Sequence, residues 1–167
     1  SVEQRWLESH PSVPPRGVTD PPSWPVRCAS EYEDIEGIVL ALEGGSSFTA
    51  VVAQVAAQIT TVGDANVYVA CDTNSEANTA RNSMVAAGAD ASRIFTVVRT
   101  TNTIWIRDYG PRYMYEGNCR AVVDHTYNRP RPNDNAFNVY FADWMGHGYY
   151  ELPLTHGGGN YHLNSYG

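Results

Sequence analysis

The sequence has few positive charges, few cysteines and no long hydrophobic run, and each shortage excludes a class of protein. Its 167 residues carry 11 basic and 18 acidic side chains, a net charge of −7. Nucleic-acid-binding domains present a basic face, so this balance argues against nucleic acid and anionic membranes as partners. It is compatible with a cationic substrate. No run reaches the roughly 18 consecutive apolar residues that a membrane-spanning helix needs.

Cysteines and histidines are too sparse and too widely spaced to predict a metal site. Cys28, Cys71 and Cys119 form no C-x-x-C pair, and no H-x-x-x-H pair occurs, although zinc sites usually show such spacings. We therefore predict no metal site, and we also expect no organic cofactor. An odd number of cysteines leaves at least one thiol free or paired outside this chain. The simplest interpretation is three small buried hydrophobic residues.

The first 27 residues differ in composition from the rest. They hold six of the ten prolines and little periodicity, which predicts an N-terminal arm over residues 1–27 and one domain over 28–167. A mature chain left after signal removal would have such a start, and its first residue is not Met. We expect a secreted or periplasmic protein.

Strand and helix patterns alternate from position 36 onward. Short apolar runs predict buried strands, and apolar residues recurring every three or four positions predict helices. The predicted strands are 37–43, 66–71 and 93–98, and the predicted helices are 48–62 and 75–88.

The second half continues with a different order of elements. The stretch 102–109 is expected to be extended and to stop at Gly110-Pro111, and a hairpin turns at 116–118. Two prolines should keep the loop 128–135 from being helical, and a helix (136–148) and a strand (149–155) follow. The whole order predicts a mixed α/β fold.

The most unusual stretch is NTIWIRDYGPRYMY, residues 102–115, which carries Arg107 and Asp108 among aromatic residues. A structural salt bridge at a strand end is one interpretation. The other is a site for a planar cation. A carboxylate accepts two hydrogen bonds from a guanidinium, and the face of Trp105 offers cation–π attraction. The neighbouring aromatic residues favour a guanidinium ligand.

Two further stretches carry candidate ligand-binding residues. Arg129 and Arg131 alternate with prolines, and in extended backbone their side chains would point to the same side, where two guanidinium forks suit a carboxylate; a solvated basic loop is the alternative. Three glycines at 157–159 permit close backbone approach to a ligand. His156 and His162 flank them, and a position at the surface or at a strand end is the simpler interpretation of both.

These stretches together resemble the guanidine-modifying deiminases, and in particular the bacterial (Porphyromonas-type) peptidylarginine deiminases and the related agmatine deiminases. The motifs are RCASEYEDIEGIVLAL (27–42), WIRDYGPRY (105–113), YNRPRP (127–132) and GGN (158–160). The first contains the acidic-aromatic-acidic trio at 31–33. The resemblance runs from about Pro25 to Gly167.

This resemblance implies a fold and a reaction. The family fold is the pentein, a five-bladed α/β propeller, and this chain would supply about its first half. The reaction is hydrolysis of a guanidinium to a ureido group and ammonia. A cysteine attacks the guanidinium carbon to give a thiouronium intermediate, a histidine moves protons, and two carboxylates hold the cation.

The resemblance also assigns roles to individual residues. Asp108 matches the first guanidinium-binding carboxylate and is the catalytic candidate, and Trp105 matches a tryptophan that lines the substrate channel. Arg129 and Arg131 match the pair that grips the carboxylate of a C-terminal arginine, which implies a peptide substrate rather than agmatine. Further pocket-lining residues would be Arg107, Tyr127, Gly158, Gly159 and Asn160.

The family's H-x-D motif and its late nucleophilic cysteine are absent from these 167 residues. Cys28, Cys71 and Cys119 stand in other sequence contexts, and neither His125 nor His156 matches the catalytic histidine. We therefore expect a second polypeptide, the C-terminal half of a processed or nicked enzyme, to be the partner. An agmatine deiminase and a non-catalytic guanidinium-binding protein are the alternatives.

Overall fold

The computed structural model describes Ser9, residues 17–164 and Tyr166, and it divides into two compact units. The βαβ unit comprises Tyr32–Ile106. The hairpin unit comprises the chain up to Glu31 together with Arg107–Gly167. The described elements are β1 (Val26–Cys28), β2 (Gly37–Ala41), α1 (Ser46–Thr61), β3 (Asn66–Cys71), α2 (Asn74–Ala86), β4 (Ile94–Val98), α3 (Ile106–Tyr109), β5 (Arg112–Glu116), β6 (Cys119–Tyr127), α4 (Pro132–Asn135), α5 (Phe137–Met145) and β7 (Gly148–His156).

The βαβ unit is a parallel three-stranded sheet in the order β2-β3-β4, with α1 and α2 as the crossovers. The central strand β3 is buried from Val67 to Cys71. Small side chains such as Ala56 and Ala80 let the helices approach the sheet closely, and Met84 fills part of the remaining space. Burial of this apolar surface is the main stabilising contribution to the unit.

The hairpin unit contains a mixed four-stranded sheet in the order β1-β5-β6-β7. Strands β5 and β6 form an antiparallel hairpin whose turn contains Gly117 at φ 57°, a left-handed conformation that favours glycine. The next strand, β7, pairs parallel to β6, and α5 is part of the crossover between them. Phe137, Phe141 and Ala142 are the apolar residues that α5 buries, and the polar Asn138 is buried with them.

The predicted α/β fold class is confirmed, and the predicted strands and long helices are present within a few residues of their expected bounds. Two local predictions are wrong. The stretch before Gly110-Pro111 is not extended at its end, because Ile106–Tyr109 forms one helical turn. The loop 128–135 contains the short helix Pro132–Asn135 with proline in its first turn, where a missing N–H removes no helical hydrogen bond.

The N-terminal arm lies partly outside the described residues, which include only Ser9 and 17–27 of it. In the described part, the backbone N–H of Thr19 donates to the carbonyl of Glu151 at 3.2 Å. The amides of Ser23 and Trp24 donate to one carboxylate oxygen of Glu116 at 2.8 and 3.1 Å. Strand β1 runs across position 27, and the division into an arm (1–27) and a domain (28–167) stays a prediction.

No helix within the described part of the chain is both long enough and apolar enough to span a membrane.

Candidate active site

Asp108 is held by groups from two other segments of the hairpin unit. It lies in the helical turn α3, and its Oδ1 accepts a hydrogen bond from the backbone N–H of Gly159 at 3.1 Å. The hydroxyl of Tyr127, at the end of β6, donates to Oδ2 at a longer 3.4 Å. Because an ionised carboxylate has about four lone-pair sites, these two contacts orient Asp108 and leave acceptor capacity on both oxygens.

Tyr127 connects Asp108 to the arginine loop. The guanidinium of Arg131 donates from Nη1 to the Tyr127 hydroxyl at 3.3 Å, and its carbon lies 5.8 Å from the centre of the tyrosine ring. Burial, and secondarily the negative charge of Asp108, raise the pKa of Tyr127, whereas Arg131 and Arg129 oppose this shift. Both arginines are therefore close enough to influence this hydroxyl.

The backbone between the two arginines is turned, which corrects the extended conformation expected from the sequence. The N–H of Arg131 donates to the carbonyl of Arg129 at 2.8 Å, the pattern of a three-residue turn centred on Pro130. The amide of Asn135 holds the end of this loop, since its Oδ1 accepts from the N–H of Tyr127 at 2.7 Å. Both arginine side chains are half-buried.

The glycine turn at 157–159 packs tightly against the backbone of Arg107, next to Asp108. A Cβ at Gly158 would lie 2.0 Å from the carbonyl oxygen of Arg107, so no other residue fits there without moving the backbone. A Cβ at Gly159 would lie 3.5 Å from Asp108 Oδ1, an ordinary contact. The turn is a short 3-10 helix, Gly158–Asn160, in which Gly158 is buried and Asn160 is exposed.

Arg107 pairs with Glu31 rather than with its neighbour Asp108. Its guanidinium forms an ion pair with Glu31 and donates to the carbonyl of Tyr161 at 2.8 Å. The other Glu31 oxygen lies 3.3 Å from Nδ1 of His162, and the hydrogen bonds from Arg107 and then His162 lower the pKa of Glu31. Arg107 thus forms a salt bridge, but with Glu31 and from a helical turn rather than at a strand end, and it also holds the chain that follows the glycine turn through Tyr161.

A cluster that was not predicted from the sequence lies beside the backbone of Asp108. It consists of Arg112, His125 and His156. Nη1 of Arg112 lies 3.1 Å from Nδ1 of His125 and 2.9 Å from Nε2 of His156. The ring centres of the two histidines are 4.2 Å apart, and the guanidinium carbon lies 4.2 Å from the ring centre of Tyr161. The only sequence signal for the cluster is Asp-His-Thr inside an otherwise apolar strand.

Both histidines are held in the neutral form by this environment. Burial, followed by the charge of Arg112, lowers the pKa of His125 to about 4. Burial also lowers the pKa of His156, and the charge of Arg112 adds to that shift. Burial lowers the pKa of Arg112 itself, but an arginine remains protonated in proteins.

A buried polar network supports the helical turn that carries Asp108. The carboxylate of Asp124 accepts hydrogen bonds from Asn138 Nδ2 at 2.6 Å and from the Tyr149 hydroxyl at 2.7 Å. Asn138 Nδ2 also donates to the carbonyl of Tyr109 at 2.7 Å. Because buried polar groups are costly when unpaired, this network fixes the end of α3 relative to β6 and α5.

Trp105 and the cysteines are placed differently from the residues above. Trp105 belongs to the βαβ unit, and its side chain is 54% exposed. Cys28 is half-buried, Cys71 is buried and Cys119 is exposed, and none is in a disulfide. Burial raises the pKa of Cys71 to about 12, so this thiol is not the thiolate that nucleophilic attack requires.

The structure therefore gathers most of the predicted site residues in the hairpin unit. Asp108, Tyr127, Arg131 and Gly159 form one connected set. Among the described residues there is no group of three or more His, Cys, Asp or Glu side chains that could hold a metal ion. An oriented carboxylate beside two arginines can bind a cation at one end of a ligand and an anion at the other.

Comparison with solved structures shows which fold this is. The agmatine deiminase of C. jejuni matches with a TM-score of 0.65 at 17% identity, over 84% of this chain and 43% of that chain. A Cys-to-Ser variant of that enzyme with substrate bound matches with a TM-score of 0.66. A protein provisionally assigned as a peptidyl-arginine deiminase matches with a TM-score of 0.59 at 21% identity, over 80% of this chain and 42% of that chain.

These matches confirm a mixed α/β fold that corresponds to about half of a pentein deiminase domain, since the chain spans about two fifths of each matched structure. The family model described as Porphyromonas-type peptidyl-arginine deiminase matches residues 27–167, which contain every candidate site residue named above. This chain belongs to the Porphyromonas-type peptidyl-arginine deiminase family.

Proposed function

We propose that this chain provides the guanidinium-binding part of an enzyme that converts the arginine side chain of a peptide to citrulline and releases ammonia. In this proposal the nucleophilic cysteine and the proton-transferring histidine come from the remainder of the domain. The observation that carries the proposal is the Asp108 carboxylate, oriented by the Gly159 amide and the Tyr127 hydroxyl.

Asp108 has the properties that a guanidinium requires. Its two oxygens are fixed in direction and keep acceptor sites for a bidentate pair of N–H donors. Its negative charge balances the cation, and the net charge of −7 favours the approach of positive substrates. In the proposed site, Asp108 binds the cation before and during attack, so the substrate is held in reacting geometry.

The proposed reaction combines the bound guanidinium with the groups from the remainder of the domain. The cysteine thiolate adds to the guanidinium carbon, the C–N bond breaks, and protonation by the histidine lets ammonia leave. Water then adds to the thiouronium carbon and loses a proton, and the C–S bond breaks to regenerate the thiolate. The net change is guanidinium plus water to the ureido group plus ammonium.

Arg129 and Arg131 select the substrate in this proposal. Two guanidinium groups on one loop suit the carboxylate of a C-terminal arginine. Arg131 donates to Tyr127, which donates to Asp108. The two ends of the substrate would therefore bind to residues that are already joined by hydrogen bonds.

The test uses the full-length gene product that carries this chain, with citrulline release from a dipeptide ending in arginine as the assay. Asp108→Asn should lower kcat/KM by at least about a hundredfold, because the amide does not balance the guanidinium charge. Asp143→Asn, at an exposed aspartate of α5, is the control and should leave the rate unchanged. Full activity of the Asp108 variant would refute the assignment.

Agmatine deiminase activity is the second candidate, and the structural similarity to the C. jejuni enzyme favours it. Agmatine has no carboxylate, so the two candidates differ in their need for Arg129 and Arg131. If the peptide is the substrate, Arg129→Gln should raise the KM for the peptide while leaving the rate with agmatine unchanged. Faster turnover of agmatine than of the dipeptide by the wild-type protein would favour the second candidate.

A further inference from the structure

Arg112 is half-buried, and no carboxylate in the described part of the chain is in hydrogen-bonding contact with its guanidinium, which is unusual for a charged side chain removed from solvent. One amino group, Nη1, contacts both histidine rings, and the other, Nη2, is buried and has no hydrogen-bond partner. A buried N–H group that lacks a hydrogen-bond partner is destabilising, although the ring of Tyr161 lies against this guanidinium. Locally unfavourable features of this kind concentrate at functional sites. The position of Arg112 therefore indicates a functional role.

The hydrogen bonds of this cluster define the protonation of both rings. Nη1 of Arg112 is a donor only, so His125 Nδ1 and His156 Nε2 accept and carry no proton. The proton of His125 is then on Nε2, which lies 3.0 Å from the backbone carbonyl of Asp108. The proton of His156 is on Nδ1, which lies 3.0 Å from the carbonyl of Gly157.

These two carbonyls belong to the two segments that the site brings together. Asp108 accepts the hydrogen bond of the Gly159 amide, and Gly157 begins the turn that donates it. Arg112 therefore connects to both sides of that hydrogen bond through one neutral imidazole on each side. A change in either ring tautomer would replace a donor with an acceptor and break a link.

We propose that Arg112 is a positioning residue, which fixes the Asp108 carboxylate for its ligand by holding His125 and His156 as neutral hydrogen-bond bridges to the Asp108 and Gly157 backbone. Arg112 itself touches neither substrate nor reacting atoms in this account. The inference rests on the proposed function only in assigning a ligand to Asp108, since the hydrogen bonds themselves can be tested without one.

The first measurement is the tautomer of each ring in the wild-type chain, from the ¹⁵N chemical shifts of the histidine side chains. The inference requires a neutral His125 protonated on Nε2 and a neutral His156 protonated on Nδ1 at neutral pH. The opposite tautomer of either ring, or an imidazolium, would overturn it. This result does not depend on whether any variant folds.

The second measurement is hydrogen exchange of the Gly159 amide in Arg112→Gln and Arg112→Lys. In the Gln variant, loss of the bridges through His125 and His156 should weaken the charge-assisted hydrogen bond from the Gly159 amide to Asp108. Exchange of this amide should therefore be at least about tenfold faster than in the wild type. A lysine keeps the positive charge but not the planar guanidinium fork. The Gly159 amide of the Lys variant should therefore exchange at a rate between those of the wild type and the Gln variant. Arg27→Gln is the matched control, since Arg27 is an exposed arginine whose guanidinium carbon also lies near a ring, 4.9 Å from the centre of Tyr115.

A titration with glycyl-arginine separates this inference from the proposed function. Wild-type protein that binds no dipeptide would contradict the proposed function and leave the exchange result standing. If the wild type binds, the folded Arg112→Gln variant should bind at least about tenfold more weakly, as expected for a misplaced carboxylate. Unchanged Gly159 exchange in both folded variants would overturn the positioning role.

Discussion

At the scale of single residues, the candidate site depends on two neutral histidines beside an arginine, of which His125 is buried and His156 is half-buried. Burial and the Arg112 charge both disfavour a second proton on His125, whose pKa falls to about 4. The neutral ring can accept from Arg112 and donate to the Asp108 carbonyl at the same time. A charged ring would have two donors and would face a guanidinium.

The depressed histidine pKa predicts that the folded protein loses stability as the pH falls. The native pKa of about 4 lies below the ordinary 6.5, so between these values the unfolded chain binds a proton that the native chain does not. The free energy of unfolding should therefore fall by about 2 kcal/mol from about pH 7 to about pH 5. His156, whose pKa is also lowered, acts in the same direction.

Urea unfolding at several pH values measures this slope. His125→Gln removes the titrating ring, so a folded variant should lose most of the slope. His162→Gln replaces an exposed ring close to the glycine turn, and this variant should keep the pH dependence of the unfolding free energy. An unfolding free energy that is constant between these pH values in the wild type would show that His125 is charged or solvated in the native state.

Single residues of the site differ in how far sequence alone could identify them. Asp108, Arg129 and Arg131 stand in stretches whose composition points to a guanidinium and a carboxylate. The Arg112 cluster could not be predicted in this way, because its contacts join residues 13 and 44 positions apart. A polar run inside an apolar strand was the one local sign, and it does not identify partners.

At the scale of elements, local periodicity was sufficient for the long elements and failed for the short ones. Strand β3 has the predicted bounds, because a run of apolar β-forming residues fits a buried central strand. The turns α3 and α4 have only four residues each, too few to show a helical period. Their conformation depends on contacts such as those of Asp108 and Asn135 with distant backbone.

The glycine turn provides an element-scale prediction with a matched control. Gly158→Ala should lower the free energy of unfolding by about 2 kcal/mol or more, since the new methyl would overlap the rigid Arg107 carbonyl. Gly159→Ala adds a methyl in ordinary contact with Asp108 and should cost much less. Thermal or urea unfolding of the two variants checks the difference. Equal stability of both would mean that the turn does not pack against Arg107.

At the scale of the whole molecule, the chain consists of two units, each with its own sheet. The parallel sheet of the βαβ unit has a continuous apolar core, and the hairpin unit contains the connected set around Asp108. The fold class was predictable from the alternation of patterns along the sequence. The grouping of Glu31 with the distant C-terminal segment was not, because it rests on contacts such as that between Glu31 and His162, which are 131 positions apart.

The central claim is that Asp108 binds a guanidinium, and the most direct test is an NMR titration of this chain with glycyl-arginine. The signal to follow is the amide of Gly159, which donates to Asp108. If Asp108 binds the guanidinium, the chemical shift of this amide should change saturably with added dipeptide in the wild type and in Asp143→Asn. The dissociation constant should rise by at least about tenfold in Asp108→Asn, through loss of a charge-assisted pair. Equal binding by the wild type and the folded Asp108 variant would contradict the claim.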